Sequence, residues 1–331
     1  MRRTGFSFLL LILPFLTIVW APVFAQTAST DEVLKTRTDL VNVGVLAKEK
    51  RTGRIISNLI KDDFTVFEDG VQQTVSYFSQ ERLPLSIILL VDRAGCINAF
   101  NDRIRAATIK AFNDMKPEDE IAIMIFSNKV ALAEPFTHDR KLITDRIMAV
   151  EQQHHSEQHY FNAGVYEAAN YMSKAANPAG RRAIIVLTSL EASIDFSRIS
   201  EKEALEAVLE SGAIVSGVLV KTLGGRIEQG IRGKPTSILR HIGLRSGSLK
   251  MFVDETGGEI TNAEPEKMEE TLTQMVSHLA ESYSLAYLPT NSSRDGKRRK
   301  IRVQLTPEIE KREEKMVLIT RRSYVMPKET K

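Results

Sequence analysis

The chain has 331 residues, of which 43% are hydrophobic and 26% are charged, a balance that excludes a disordered chain and a membrane protein with many spans. Its 45 Lys and Arg against 42 Asp and Glu give a net charge of +3, too small for a global field that would hold nucleic acid or an anionic membrane. The single cysteine, Cys96, excludes an intrachain disulfide and a cysteine-rich zinc module.

Residues 1–25 have the three parts of a secretory signal peptide. Arg2 and Arg3 precede an apolar run, and the run ends in Val23-Phe24-Ala25, which offers a cleavage site. We expect cleavage after Ala25 and export to a bacterial periplasm or beyond, with residues 26–38 as a flexible lead-in. Contact with a membrane would require the leader to be retained as an anchor. Because the leader contains both arginines and no acid, its removal lowers the net charge from +3 to +1.

Residues 39–82 are predicted to form an N-terminal β segment. Leu40 to Ala47 is rich in β-branched residues and partly alternates, which indicates a strand. Asp69-Gly70, between two alternating runs, is a strong hairpin signal. A segment of this size is too small to be stable alone, so it needs a packing partner.

Residues 83–282 are predicted to form an α/β domain with a mostly parallel sheet. Leu85 to Val91 is apolar on both faces, as in a central strand that is covered by helices. Strands and helices then alternate, which implies right-handed crossovers. The further predicted strands are 121–126, 130–133, 183–188, 213–220 and 259–260, and the helices are 102–115, 139–150, 161–175, 201–210 and 266–282. The Gly-rich and basic residues 221–247 interrupt the alternation and indicate an exposed loop insertion.

Residues 283–327 contain three predicted terminal strands, 283–288, 299–305 and 316–320. They follow the last helix of the α/β domain and have no partner of their own. The N-terminal β segment is the most economical partner, so we expect the two ends of the chain to form one small β domain.

Several runs of this sequence resemble secreted bacterial proteins related to the von Willebrand factor type A (VWFA) domain. The first is the apolar run Ile87 to Val91, which ends at Asp92. The others, in chain order, are Asp63 to Gln73, Arg181 to Thr188, Glu255-Thr256-Gly257-Gly258, Tyr283 to Tyr287 and Arg322-Ser323-Tyr324. The resemblance implies an α/β, VWFA-like (Rossmann-like) fold with a central, mostly parallel sheet, plus the small β domain built from both ends.

The same resemblance implies a metal-ion-dependent adhesion site that is degenerate in this chain. Asp92 matches the first aspartate of the motif, but Ala94 and Cys96 stand in its two serine positions. His159 takes the threonine position, and Ser189 takes the position of the last aspartate, with the acid Glu191 two residues on. Alanine offers no oxygen and a thiol is a soft ligand, whereas Mg²⁺ needs about six hard oxygens. We therefore expect Mg²⁺ or Mn²⁺ binding at Asp92 to be weak or lost, and no cofactor.

Other side chains of the same loops leave two alternatives open. His154, His155 and His159 could join Cys96 and Asp92 in a zinc site, although a solvated polar loop is the favoured interpretation. Cys96 near a helix N-terminus could be a reactive thiol, although a small residue that fills the space of a serine is favoured. No sequence motif of a known enzyme class is present.

The function expected from the sequence is that of a non-enzymatic, exported module that binds a protein partner. By the resemblance, the partner would dock on a ligand rim at the carboxyl ends of the sheet strands, which includes Asp92, Ala94, Cys96, His159, Asn162, Ser189 and Glu191. Nucleic acid is not expected as a partner. The alternatives are a metal-dependent, zinc-type hydrolase or redox-active protein that uses Cys96 and the loop histidines, and a structural protein of the cell envelope.

Overall fold

The computed structural model describes residues 40–93, 101–150, 159–177, 180–189, 192–220, 246–312 and 315–328, all of which belong to one compact unit. The expected signal peptide and lead-in lie outside the described residues. So do Ala94, Cys96, His154, His155, Glu191 and the predicted loop insertion except for its last two residues. No helix within the described residues is long and apolar enough to cross a membrane.

Strands β1 to β16 comprise, in chain order, Val41–Glu49, Phe64–Glu68, Val71–Gln73, Val75–Ser79, Leu85–Asp92, Glu120–Phe126, Val130–Thr137, Arg181–Thr188, Ala192–Ile194, Ile214–Val220, Ser246–Ser248, Ile260–Ala263, Tyr283–Tyr287, Arg298–Leu305, Met316–Thr320 and Ser323–Val325. Helices α1 to α7 comprise Asn101–Asn113, Arg140–Val150, Phe161–Tyr171, Glu201–Ser211, Leu249–Thr256, Met268–Ala280 and Pro307–Arg312. Short 3-10 turns at Lys61–Asp63, Met172–Lys174 and Pro265–Lys267 complete the assigned elements of the described part.

A six-stranded sheet of order β12-β10-β8-β5-β6-β7 forms the centre of the α/β domain (residues 85–280). Five strands are parallel, and β7 is antiparallel to β6 at the edge. The predicted mostly parallel α/β sheet is therefore confirmed. The antiparallel β7 follows from its connection, because three residues between β6 and β7 allow a hairpin but no crossover. It also runs four residues beyond the predicted end at Ala133.

Two layers of helices cover this sheet, as a central strand that is buried on both faces requires. Helices α1 and α6 pack on one face together with Ile143 of α2, whereas α3, α4 and α5 pack on the other. The sequence prediction missed helix α5. Gly217 of β10 explains why it fits there, because a Cβ at this position would lie 2.3 Å from a methyl carbon of Leu249.

The two ends of the chain form two further four-stranded sheets, of order β15-β1-β13-β4 and β16-β14-β2-β3. We call these strands, residues 40–80 and 283–328, the terminal β module. All of its strand pairs are antiparallel, and β1 lies between β13 and β15. The two sheets share one apolar core to which both chain ends contribute.

A buried carboxylate ties the two ends of the chain together inside the terminal β module. Glu68 is 3% exposed, and its Oε2 accepts hydrogen bonds from the hydroxyls of Tyr287 at 2.7 Å and Tyr324 at 2.8 Å. Burial and the hydrogen bond to Glu68 both raise the pKa of each tyrosine, so the two hydroxyls stay protonated donors. The guanidinium of Arg299 lies 3.5 Å from Oε1.

The terminal β module attaches to the α/β domain at the amino ends of the parallel strands. Arg181, the first residue of β8, donates to the carbonyl of Ser282 at 3.0 Å and to the hydroxyl of Ser284 at 2.9 Å. Glu259 precedes β12 and contacts both Lys48 of β1 and Nδ1 of His278 in α6, the latter at 2.5 Å. The opposite edge of the sheet, where the parallel strands end, is thereby left without this cover.

We predict that Glu259→Gln lowers the free energy of unfolding by about 1–3 kcal/mol at pH 7, because it removes the charge from a carboxylate that pairs with two donors. Burial tends to raise the pKa of Glu259, but His278 and Lys48 together outweigh it and lower the pKa below the ordinary 4.5. The contribution is therefore complete above pH 4.5 and is lost as the pH falls through the lowered pKa.

Urea unfolding at a series of pH values measures this effect, and the wild-type and variant curves should converge in acid. Asp145→Asn is the matched control, because that carboxylate is 59% exposed in a surface pair with Lys141. It should leave the unfolding free energy unchanged. A pH-independent difference between wild type and Glu259→Gln would contradict the assignment.

Candidate functional site

The carboxyl ends of the parallel strands meet along one edge of the central sheet. We call this edge, with the loops that leave it, the rim. Asp92 is the last residue of β5, and Thr188 is the last residue of β8. The two strands are hydrogen-bonded neighbours, with Val91 opposite Leu187. Parallel pairing at this register places Asp92 and Thr188 side by side, at the edge where open α/β sheets bind ligands.

Asp92 lies at the centre of a buried hydrogen-bonded group. Its Oδ2 accepts from Oγ1 of Thr188 at 2.7 Å and lies 3.1 Å from Nδ1 of His159. The Asp92 side chain is 1% exposed, and that of His159 is 5% exposed. Because a carboxylate only accepts hydrogen bonds, the proton of this contact belongs to Nδ1 of the imidazole.

The backbone holds His159 in this position. The next residue, Tyr160, donates its N–H to the carbonyl of Ser127 at 2.7 Å, in the turn between β6 and β7. Helix α3 begins directly afterwards, at Phe161. The backbone next to His159 is therefore held by the turn after β6 on one side and by the start of α3 on the other.

Ser189 follows Thr188 and has a buried hydroxyl. The residue is 4% exposed, and its Oγ is one of the few side-chain atoms of the described residues that are buried without a hydrogen-bond partner. A buried hydroxyl without a partner costs free energy. Ser189 therefore keeps an oxygen at the rim that the described part of the chain leaves without a hydrogen bond.

A second buried carboxylate occupies the amino end of helix α3. Oδ2 of Asp195 accepts from the backbone N–H of Asn162 at 2.7 Å, and Oδ1 accepts from that of Ser197 at 2.8 Å. Asp195 is 3% exposed and Asn162 is fully buried. The negative charge compensates the positive end of the helix dipole, so the chain supplies its own anion at this helix N-terminus.

The loop that carries Asp195 also presents an aromatic ring to solvent. Phe196 is 54% exposed, although both of its neighbours in the chain, Asp195 and Ser197, are buried and hydrogen-bonded. The side chains of Lys129 and Arg198 in the rim loops are also exposed. The rim therefore combines a rigid backbone with an exposed aromatic side chain and two cations.

The structure brings together four of the residues that the sequence singled out. Asp92, His159, Asn162 and Ser189 all lie at the rim, and all four are buried. The remaining three, Ala94, Cys96 and Glu191, lie outside the described residues.

Sequence reasoning missed Asp195 and Phe196. The signal that could have found them is their position before a helix start. Ser200 and Glu203 form a reciprocal capping box, so α4 begins at Glu201 and the residues before it form a loop at the rim.

Within the described residues, Oδ2 of Asp92 is occupied by hydrogen-bond partners from the chain itself. The described residues contain no group of three or more His, Cys, Asp or Glu side chains that could hold a metal ion. Among the described residues at the ends of β5 and β8, Asp92, Thr188 and Ser189 carry side-chain oxygens, and Oδ2 of Asp92 already has two partners. Mg²⁺ takes about six oxygens in near-octahedral order.

We predict that Asp195→Ala lowers the free energy of unfolding by about 1–3 kcal/mol, because it leaves two backbone N–H groups without an acceptor, that of Asn162 in the first turn of α3 and that of Ser197 in the loop before α4. Urea denaturation measures the loss. Asp102→Ala is the control, since Asp102 also lies in the first turn of a helix but its side chain is 89% exposed. Equal effects of the two substitutions would contradict the role given to Asp195.

Comparison with known proteins bears on residues 87–191, which match a family model described as the von Willebrand factor type A domain. No curated protein matches the chain. Among solved structures, proximal thread matrix protein 1 from the mussel byssus is similar at 12% identity and a TM-score of 0.44, over 61% of this chain and 50% of that one. This chain therefore spans about half of the length of the mussel protein.

Two bacterial structures are also similar. The conserved hypothetical protein BatB from Bacteroides thetaiotaomicron has 14% identity and a TM-score of 0.41, over 60% of this chain and 100% of that one. The vWF domain of the type V pili tip protein Mfa5 from Porphyromonas gingivalis has 15% identity and a TM-score of 0.30, over 34% of this chain and 39% of that one. Because these TM-scores are below 0.5, the domain assignment rests on the family model and on the strand order.

Proposed function

Since this chain is a VWFA-related protein with a von Willebrand factor type A domain at residues 87–191, we propose that it is an exported, non-enzymatic module that binds a protein partner at the rim. Binding of Mg²⁺ or Mn²⁺ is weak or lost. The observation that carries the proposal is Phe196, a half-exposed aromatic ring on a loop whose flanking residues are held by buried hydrogen bonds.

Rigid, exposed aromatic side chains have the properties of binding hot spots. They bury a large area on contact and lose little conformational entropy, because the free protein already holds them in place. Asp195 anchors the loop to the first turn of α3, so Phe196 is supported by the core of the domain. Lys129 and Arg198 are exposed cations in loops of the same rim and are available for polar contacts with a partner.

The position of the terminal β module supports the rim as the contact surface. Its contacts through Arg181 and Glu259 lie at the amino ends of the parallel strands, on the side away from the rim. The module therefore does not cover Phe196. The leader of residues 1–25 supports export, which would bring the rim into contact with other exported proteins.

The Ser189 hydroxyl of the rim is not arranged as an activated nucleophile. Within the described residues it makes no hydrogen bond to a base. A nucleophile that is activated for covalent catalysis needs such a base within hydrogen-bond reach. This supports the non-enzymatic assignment, in keeping with VWFA domains, which are in general interaction modules.

Site-specific photo-cross-linking in cells tests the proposal. A photoreactive phenylalanine analogue at position 196 should cross-link one partner in a saturable manner. The matched control is the same analogue at Tyr77, an aromatic residue of the terminal β module that is 48% exposed and should give no such product. Excess purified wild-type protein should abolish the cross-link, whereas excess Phe196→Ala protein should not. Cross-linking at position 77 alone would assign the contact surface to the β module and contradict the proposal.

We further predict that the cross-link at position 196 persists in the presence of EDTA, because the donor set at Asp92 does not suit a bridging dication. The yield with EDTA should match the yield with added Mg²⁺. A loss of cross-linking that Mn²⁺ restores would show that a metal takes part in binding, and it would contradict the metal-independent part of the proposal.

A further inference from the structure

We infer that the imidazole of His159 is a built-in substitute for a cation at Asp92, and that removal of this side chain opens a cation site. The inference concerns the same rim as the proposed function, but it does not depend on a partner. The first supporting observation is the contact between the two side chains, in which Nδ1 of His159 lies 3.1 Å from Oδ2 of Asp92.

The burial of Asp92 explains why a substitute is needed. A carboxylate that is 1% exposed has lost its water shell and must be compensated by donors or by a cation. The hydroxyl of Thr188 supplies one donor to Oδ2, and the imidazole N–H supplies a second to the same oxygen. The imidazole thus compensates the carboxylate directly, as a bound cation would do.

Ser189 provides an independent observation. Its hydroxyl is buried beside Thr188 and has no hydrogen-bond partner, so a ligand oxygen is present that the folded chain does not use. Together with the carboxylate of Asp92 and the hydroxyl of Thr188 it makes three hard oxygen donors on the ends of two neighbouring strands. His159 stands two residues before α3 and contacts this group through Oδ2 of Asp92.

Truncation of His159 has two expected consequences. The buried carboxylate loses one of its donors, so the protein becomes less stable. The space of the ring also becomes available to a hydrated hard cation, which would be held by the oxygens of Asp92, Thr188 and Ser189 and completed by water. The ligand class is a divalent cation of the Mg²⁺ or Mn²⁺ type, and it is expected to bind the variant and not the wild type.

Mn²⁺ alone is the probe, with two readouts on the purified full chain. Loss of the electron paramagnetic resonance signal of free Mn²⁺ reports binding, and the melting temperature reports the coupling of binding to folding. In His159→Ala, about one equivalent of Mn²⁺ should bind with at least about 10-fold higher affinity than in the wild type. Saturating Mn²⁺ should raise the melting temperature of the variant by roughly 3–8 °C and leave that of the wild type unchanged.

Three further variants keep the inference falsifiable. His159→Gln retains a side-chain N–H for Asp92, so it should be more stable than His159→Ala and should not bind Mn²⁺. The double variant Asp92→Asn/His159→Ala should lose the Mn²⁺ response, because the carboxylate is gone. If His159→Ala does not fold without metal, His159→Ser is measured in its place, and recovery of its folding by Mn²⁺ counts in favour.

The outcomes separate this inference from the proposed function. Stoichiometric binding of Mn²⁺ by the wild type that is lost in Asp92→Ala would overturn it, whatever the cross-linking at position 196 shows. A His159→Ala protein that keeps the wild-type melting temperature and gains no affinity for Mn²⁺ would overturn it as well. Neither result would by itself bear on Phe196 as a contact residue.

Discussion

The buried carboxylate of Asp92 requires compensation, because an unpaired charge inside a protein costs several kcal/mol. Asp92 ends a strand whose residues are almost all buried, and the hydrogen bonds of the neighbouring strand bring Thr188 beside it. His159 supplies the second donor, and the backbone of the next residue is fixed to the turn after β6. The requirement of one carboxylate thus links the ends of β5 and β8 to the start of α3.

A charge is also compensated within the chain at helix α3, but there it is the positive partial charge of the helix N-terminus. Its amino end presents backbone N–H groups and a positive dipole, and Asp195 supplies the matching anion from another loop. The two buried carboxylates at the rim, Asp92 and Asp195, are therefore compensated by donors of the chain itself. Beside Asp195 in the chain, Phe196 leaves about half of its side chain exposed to solvent.

The connections of the α/β domain decide where this surface lies. The chain enters the domain from β4 into β5 and leaves it from α6 into β13, and Arg181 holds the exit at the amino ends of the strands. Glu68 then joins the two chain ends within the terminal β module through Tyr287 and Tyr324. Because all of these contacts lie away from the carboxyl ends, the rim can vary in chemistry without a loss of the contacts that hold the module.

Much of the fold could be read from local patterns. The apolar run of β5 predicted a central strand, the alternation of strands and helices predicted the parallel sheet, and the capping residues Ser200 and Glu203 mark the start of α4. Helix α5 was missed because its stability depends on packing against Gly217, which no local pattern shows. The direction of β7 was likewise decided by a short turn and not by its apolar residues.

By itself, the sequence determined the α/β class, the resemblance to VWFA domains and the departures from the metal motif at positions 94, 96, 159 and 189, because these depend on residue type and order alone. Only the tertiary structure decided that His159 lies on Asp92, that Asp195 caps α3 and that Phe196 is held out to solvent. The first two are contacts between residues that are distant in sequence, and the third depends on the second. Their distances are set by strand register and helix packing, which no local stretch of sequence specifies.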